Sequence, residues 1–275
     1  MNRFQPIPKF IPSAAGNVFT LTFSCSNPQS KLIFIPPFAE EANKSRHILS
    51  ALGRRLSQHG IQTTIVDLFG TGDSEGDLDQ ASLDIWHQDI THTINYLEPN
   101  NSCQLILGGL RLGATIAASY AYNYKPLTAI NQLFYWQPIA DGATYMKQFL
   151  RLKLAESIAQ GKDDGITTSE IINSILQGNT HEISGYPLSK ELFEQISDLK
   201  FSTFDLDIET KIFDINTNGI ASVPLTKLSQ QLVNAELIVC QDSQFWACQE
   251  IVHCNNLIEV TVKSISTPNT RRAND

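Results

Sequence analysis

Short apolar runs and amphipathic helical stretches alternate along the first half of the chain. Residues 1–15, broken by prolines, read as an extended arm or edge strand. Val18–Phe23 alternates with the period of a strand, and Lys31–Ile35 is a short apolar run halted by Pro36-Pro37. From Lys44 to His59, Ile48, Leu52 and Leu56 fall on one helical face, and Gly60 ends that helix. Ile61–Leu68 is rich in β-formers. Trp86, Ile90, Ile94 and Leu97 mark the next amphipathic helix, closed by Pro99. The apolar run from Gln104 breaks at Gly109 and passes at once into an alanine-rich helix, Leu112 to about Asn123; Ala129–Trp136 is the next strand. This alternation predicts an α/β fold with a mostly parallel sheet and helices on both faces.

The pattern changes after Trp136. Met146, Leu150, Leu154 and Ile158 share a helical face. Thr167 and Glu170 form a capping box ahead of Ile171, Ile172, Ile175 and Leu176, and Leu192, Phe193, Ile196 and Leu199 make a third face. Three successive helices predict a helical insertion over 142–200, between core segments 1–141 and 201–275. Strands resume at Lys211–Asn216 and Glu236–Gln241, with a helix through Leu225, Leu228 and Leu232 between them.

Composition narrows the function. The 275 residues suit one large domain, and a net charge of −8 leaves no basic footprint beyond Arg271-Arg272, which excludes a nucleic-acid partner. No stretch approaches the roughly 18 apolar residues of a membrane span, and the N-terminus lacks a signal-like apolar core. A soluble cytoplasmic protein is therefore expected. The five cysteines are scattered without a CxxC pair, so neither a metal site, a disulfide framework nor a cofactor is expected.

The chemistry centres on Gly109-Leu110-Arg111-Leu112-Gly113. A strand that turns sharply into a helix through Gly-x-Ser-x-Gly is the nucleophile elbow of α/β-hydrolases. Both glycines are in place, but the centre is Arg111, permanently protonated and unable to act as a nucleophile. The acid expected next in chain order is missing from the loop after Asn216, which reads NTNGIAS; Asp141, after the preceding strand, is the alternative, or else a helix cap. The loop after Gln241, where the histidine belongs, reads Asp242-Ser243-Gln244-Phe245-Trp246. His253 lies about a dozen residues past that strand, and His47, His59, His87 and His92 sit on helices. A serine–histidine–acid triad is thus not expected, and Ser74 or Ser243 as a displaced nucleophile has no histidine beside it.

A buried arginine needs a counter-charge. The loop after Ile35 carries Glu40 and Glu41, so an ion pair of Arg111 with one of them is expected, either locking the loops or holding a ligand carboxylate or phosphate. The candidate catalytic set is Arg111, Glu41, Glu40 and Asp141. Phe38, Leu110, Leu112, Asp73, Ser74 and Trp246 are the candidate ligand-binding residues.

Several blocks then coincide: PPFAEEANKSR (36–46), DLFGTGDSEGD (67–77), GLRLGA (109–114), WQPIADG (136–142), QFLRLKLA (148–155) and FWACQEI (245–251). Together they resemble the exosortase A system-associated hydrolase 2 family, a branch of the α/β-hydrolase superfamily. The resemblance covers roughly residues 31–250. It implies an α/β-hydrolase fold capped by the helical insertion, and an arginine at the elbow as part of the family pattern. It also implies an exopolysaccharide/PEP-CTERM sorting locus that encodes a second hydrolase, an acyl carrier protein and an acyl-activating ligase. An acyl-type ligand, ester or thioester, follows from that setting, with an acyl carrier protein or the partner hydrolase as possible partners. Lys147, Arg151 and Lys153 are the candidate basic patch for such a partner. Two functions stay open: a hydrolase that activates water with a carboxylate, and a non-catalytic binder of the acyl ligand or partner.

Overall fold

Eight strands make one sheet, and their burial explains why the sequence chose strands there. The computed structural model describes residues 5–97, 103–124, 129–159, 165–204 and 206–266; Pro99 and Arg271-Arg272 lie outside them. The chain runs β1 (Ile7–Pro12), β2 (Asn17–Phe23), β3 (Ser30–Ile35), α1 (Glu40–Ser57), β4 (Ile61–Val66), α2 (Leu83–Leu97), β5 (Gln104–Leu110), α3 (Leu112–Asn123) and β6 (Gln132–Trp136). After an inserted segment come β9 (Glu209–Asn216), α7 (Val223–Gln231), β10 (Ala235–Gln241) and α8 (Asn255–Ser266). The spatial order is β1-β2-β4-β3-β5-β6-β9-β10, antiparallel at β1–β2 and β2–β4 and parallel elsewhere. The central strands are covered on both faces and so read as near-continuous apolar runs. Leu105, Leu107 and Tyr135 pack toward α2 and α3. Phe34, Ile106, Leu110, Phe134 and Trp136 pack toward α1 and α8, where Trp136 Nε1 donates to Thr261 Oγ1 at 3.1 Å.

Helix α1 begins four residues before the predicted start. Its first turn carries Glu40 and Glu41, and no side chain caps it; Ala39 enters it at φ 53°, ψ −131°. The two acids are therefore helical, beside the α1 N-terminus whose dipole favours them.

The inserted segment holds α4 (Gly142–Ala159), α5 (Thr168–Leu176), a two-stranded hairpin of β7 (His181–Ile183) and β8 (Tyr186–Leu188), and α6 (Lys190–Ser197). The three helices match the sequence reading; the hairpin does not. Its strands of three residues are too short to show alternation, and its turn residues Ser184 and Gly185 both have positive φ (51° and 83°), as the tightest hairpin turns require. The two ends of the segment are tied together: Gly142 N donates to Leu199 O at 2.8 Å and Phe201 N to Ala140 O at 3.1 Å. Among the described residues no helix is long and apolar enough to cross a membrane.

Candidate functional site

The elbow is built by close approach. A Cβ at Gly113 would lie 2.2 Å from Pro36 O and 2.4 Å from Ile35 O; one at Gly109 would lie 2.5 Å from Gly113 C. Only glycines let α3 sit this tightly on the ends of β3 and β5. Between them Arg111 is forced to φ 55°, ψ −122°, with its N–H bonded to Trp136 O at 2.9 Å. For a side chain with a Cβ this is a strained conformation, of order 1–3 kcal/mol, and it projects that side chain from the sheet edge.

What surrounds Arg111 comes from three other elements. Its Nε and Nη2 each lie 3.4 Å from Glu41 Oε1, and Glu41 Oε2 accepts from Tyr145 Oη at 3.3 Å. The guanidinium carbon lies 5.8 Å from the Tyr145 ring centroid and 5.5 Å from that of Trp246, within cation–π range. The Arg111 and Glu41 side chains keep 19% and 23% of their surface exposed, and their contacts are longer than the 2.7–2.9 Å typical of tight charge-assisted bonds. Burial pushes the Glu41 carboxyl above its ordinary range, outweighing the opposing pull of Arg111. The Tyr145 phenol is pushed far up, first by burial and then by the Glu41 charge. Of the two glutamates in the first turn, Glu41 therefore meets Arg111. Glu40 meets Asn43 Nδ2 at 3.1 Å and Tyr186 Oη at 3.5 Å instead.

Beside the elbow lies a cavity of about 240 Å³. Phe38, Trp86, Leu112 and Ile116 contribute its apolar wall, and the hairpin residues Gly185, Tyr186 and Pro187 reach its mouth. The amides of Phe38 and Leu112 donate to no described residue. In α/β-hydrolases the oxyanion hole is made by the amide after the nucleophile together with one from the loop after the third strand, and these two occupy those positions. Arg111 and Glu41 stand at the edge of this space and not among its lining residues.

Other sequence candidates go elsewhere. Asp141 Oδ1 accepts from Thr144 N at 2.7 Å, capping α4, and hydrogen bonding by the Thr144 side chain and then by its amide holds the carboxyl below the usual range. Ser74 Oγ donates to Asp67 O at 2.5 Å and accepts from Phe19 N at 2.7 Å, so it fastens a loop to β2. Asp73 is exposed and lies outside the cavity lining. Leu110 points into the opposite core, toward α1 and α8. Lys153 is taken up inside the insertion, donating to Glu182 O at 3.0 Å. His47 bonds Val252 O at 2.8 Å, His59 bonds Arg55 O at 2.9 Å, and His253 is exposed.

Among the described residues one hydrogen bond joins a serine to a histidine, Ser174 Oγ to His181 Nε2 at 2.8 Å, a pairing that no motif announces. Its polarity is wrong for catalysis. Lys153 Nζ faces His181 Nδ1 at 3.5 Å and can only donate, so Nε2 keeps its proton and donates to the serine. Tyr145 at the elbow and an Arg46–Asp67 pair in the cavity wall were likewise missed, because their partners come from distant elements.

The profile of Hydrolase_4, described as serine aminopeptidase, S33, matches residues 26–196. The chain belongs to this family. This Hydrolase_4 member is thus an α/β-hydrolase, and its sheet order and elbow agree with that placement. Solved structures give the same fold. Est1E from Butyrivibrio proteoclasticus with ferulic acid bound superposes with TM-score 0.66 at 15% identity, over 94% of this chain and 96% of that one. A soluble variant of monoglyceride lipase from Saccharomyces cerevisiae, in complex with a substrate analogue, gives 0.67 at 13% identity over 96% and 95%. Proline iminopeptidase from Mycobacterium smegmatis gives 0.59 at 12% over 94% and 96%. No curated protein matches the Hydrolase_4 chain in sequence.

Proposed function

We propose that the protein hydrolyses an acyl ester or thioester without an acyl-serine step, as a cytoplasmic member of the exosortase A system-associated hydrolase 2 family acting in an exopolysaccharide/PEP-CTERM sorting locus. Residues 142–200 form the cap of its cleft. The observation that carries this reading is the convergence of carboxylate, guanidinium and phenol on the elbow apex, beside a cavity that retains two unpartnered amides. Glu41, its carboxyl raised by burial, suits a general base. It takes a proton from water as the water oxygen adds to the acyl carbon. The developing oxyanion is held by the Phe38 and Leu112 amides and by the Arg111 charge, and Glu41 then passes the proton to the departing alcohol or thiol.

The test is turnover of p-nitrophenyl octanoate and an octanoyl thioester. Glu41→Gln is expected to cut the rate about 100-fold, within the usual span of general-base catalysis. Arg111→Ala loses the oxyanion partner and falls comparably. Wild-type turnover unchanged in both variants would refute the mechanism.

A second reading is favoured by one observation: both Glu41 oxygens are already engaged, and neither Glu41 nor Arg111 lines the cavity. On that reading the protein holds an acyl ligand, an acyl carrier protein or the partner hydrolase without turnover. Lys147 and Arg151, both exposed on α4, are then the docking charges. Absence of wild-type turnover above background, with octanoyl ligand still bound, selects it.

A further inference from the structure

The far wall of the cavity contains a carboxylate that the elbow chemistry leaves unused. Asp67 is 5% exposed. Its Oδ2 accepts from Arg46 Nη2 and from Asp73 N, both at 3.0 Å, while its Oδ1 receives no hydrogen bond from any described residue. That oxygen is not sealed in the protein and belongs to a residue of the cavity lining, so it is free to accept from a donor placed there. Arg46 has spare capacity as well: its Nη1 lies 4.0 Å from Asp73 Oδ2, beyond hydrogen-bond reach. The pair is held in place by Gly72 at φ 56°, where a Cβ would lie 2.0 Å from Asp67 Oδ2 and 2.6 Å from Arg46 Nη2. Arg46 and Asp67 also wall a smaller cavity of about 100 Å³, so they stand where two spaces meet. Asn43 and Tyr186 add further polar groups at the rim.

We propose that this wall reads the polar part of the ligand, and that the ligand is a neutral, hydroxyl-bearing amphiphile. Its apolar chain lies against Phe38, Trp86 and Leu112. One hydroxyl donates to Asp67 Oδ1, and a neighbouring hydroxyl oxygen accepts from Arg46 Nη1. A carboxylate acceptor in the wall disfavours an anionic head, which would face the charges of Asp67 and Asp77. A cationic head gains little, because Arg46 already neutralises Asp67 at 3.0 Å. The proposal rests on the cavity being the acyl site, and it narrows the ester's alcohol to a polyol such as a sugar or glycerol.

Isothermal titration with four ligands that share an octyl chain tests it: octyl β-glucoside, octyl phosphate, octylammonium and 1-octanol. The glucoside is expected to bind about tenfold tighter than each of the others, the scale of one hydrogen bond to a charged group. Octyl phosphate or octylammonium binding as tightly as the glucoside would overturn the proposal. Octanol binding as tightly as the glucoside removes the polar recognition but leaves the acyl site standing. No binding by any of the four removes both. In Asp67→Asn the amide oxygen keeps the Arg46 and Asp73 N bonds and the NH2 replaces the free acceptor, so glucoside binding weakens about tenfold and octyl phosphate binding strengthens. Unchanged preference in a folded Asp67→Asn protein would also sink it. The wild-type series needs no variant and stands even where Asp67→Asn costs stability.

Discussion

Replacing Gly113 by alanine is expected to destabilise the protein by about 3 kcal/mol or more, lowering Tm by roughly 6–12 °C for a domain of this size. The added methyl carbon would lie 2.2 Å from Pro36 O, 2.4 Å from Ile35 O and 2.9 Å from Ile35 C. All three are backbone atoms at the buried end of β3, so no side chain can swing aside. Relief requires α3 to lift from the sheet, which moves Leu112 and with it one of the two cavity amides. Stability and octanoyl-ligand affinity should therefore fall together, as measured by thermal melting and titration. An alanine variant that melts with the wild type would show that the elbow is looser than these contacts require.

Acid should also weaken the fold through one buried histidine. His87 on α2 is 2% exposed, its two ring nitrogens have no hydrogen-bond partner, and its ring packs 4.9 Å from that of Tyr124 and 5.9 Å from that of Tyr120. Burial lowers its pKa from 6.5 to about 4, with Asp84 pulling weakly the other way. The folded state thus favours the neutral ring. Between pH 6.5 and 4 the unfolded chain takes up the proton and the folded one does not, so stability falls as pH drops. The contribution is intact above pH 6.5 and about 3 kcal/mol is lost by pH 4. Glu41 and Asp89 act in the opposite sense, since burial raises both carboxyls. The clean readout is therefore a difference: His87→Phe keeps the aromatic contacts and should remove this part of the acid loss in urea unfolding at pH 7 and pH 4. Equal acid sensitivity in both proteins would mean that the ring is protonated or paired in the native state.

The fold was legible because its signals are local. Gly109 and Gly113 bracket the elbow, Pro36-Pro37 stop β3, and Ile48, Leu52 and Leu56 mark α1. The α1 start was misplaced because helices are recognised by a capping residue, and here Ala39 enters without one. The hairpin at 181–188 was missed because three-residue strands carry no period. At the site, the sequence could not choose between Glu40 and Glu41. Adjacent helical residues point about 100° apart, so only one can face Arg111, and which one depends on the path of the chain from β3. Arg46 and Asp67 were visible as charges, but their pairing needs α1 to lie across the end of β4. Asp141 illustrates the converse: the sequence leaves it either a candidate acid or a helix cap, and in three dimensions it is the cap.

The central claim is that the elbow presents a fixed cation and the protein forms no covalent intermediate on a serine. Intact-protein mass spectrometry after incubation with a fluorophosphonate tests it most directly, because such reagents modify an activated serine wherever it lies. The wild type and Arg111→Ser are both expected to keep their unmodified mass, since a serine at residue 111 would still have no histidine in contact. A stoichiometric phosphonyl adduct on the wild type, at Ser74, Ser243, Ser174 or any other serine, would contradict the account.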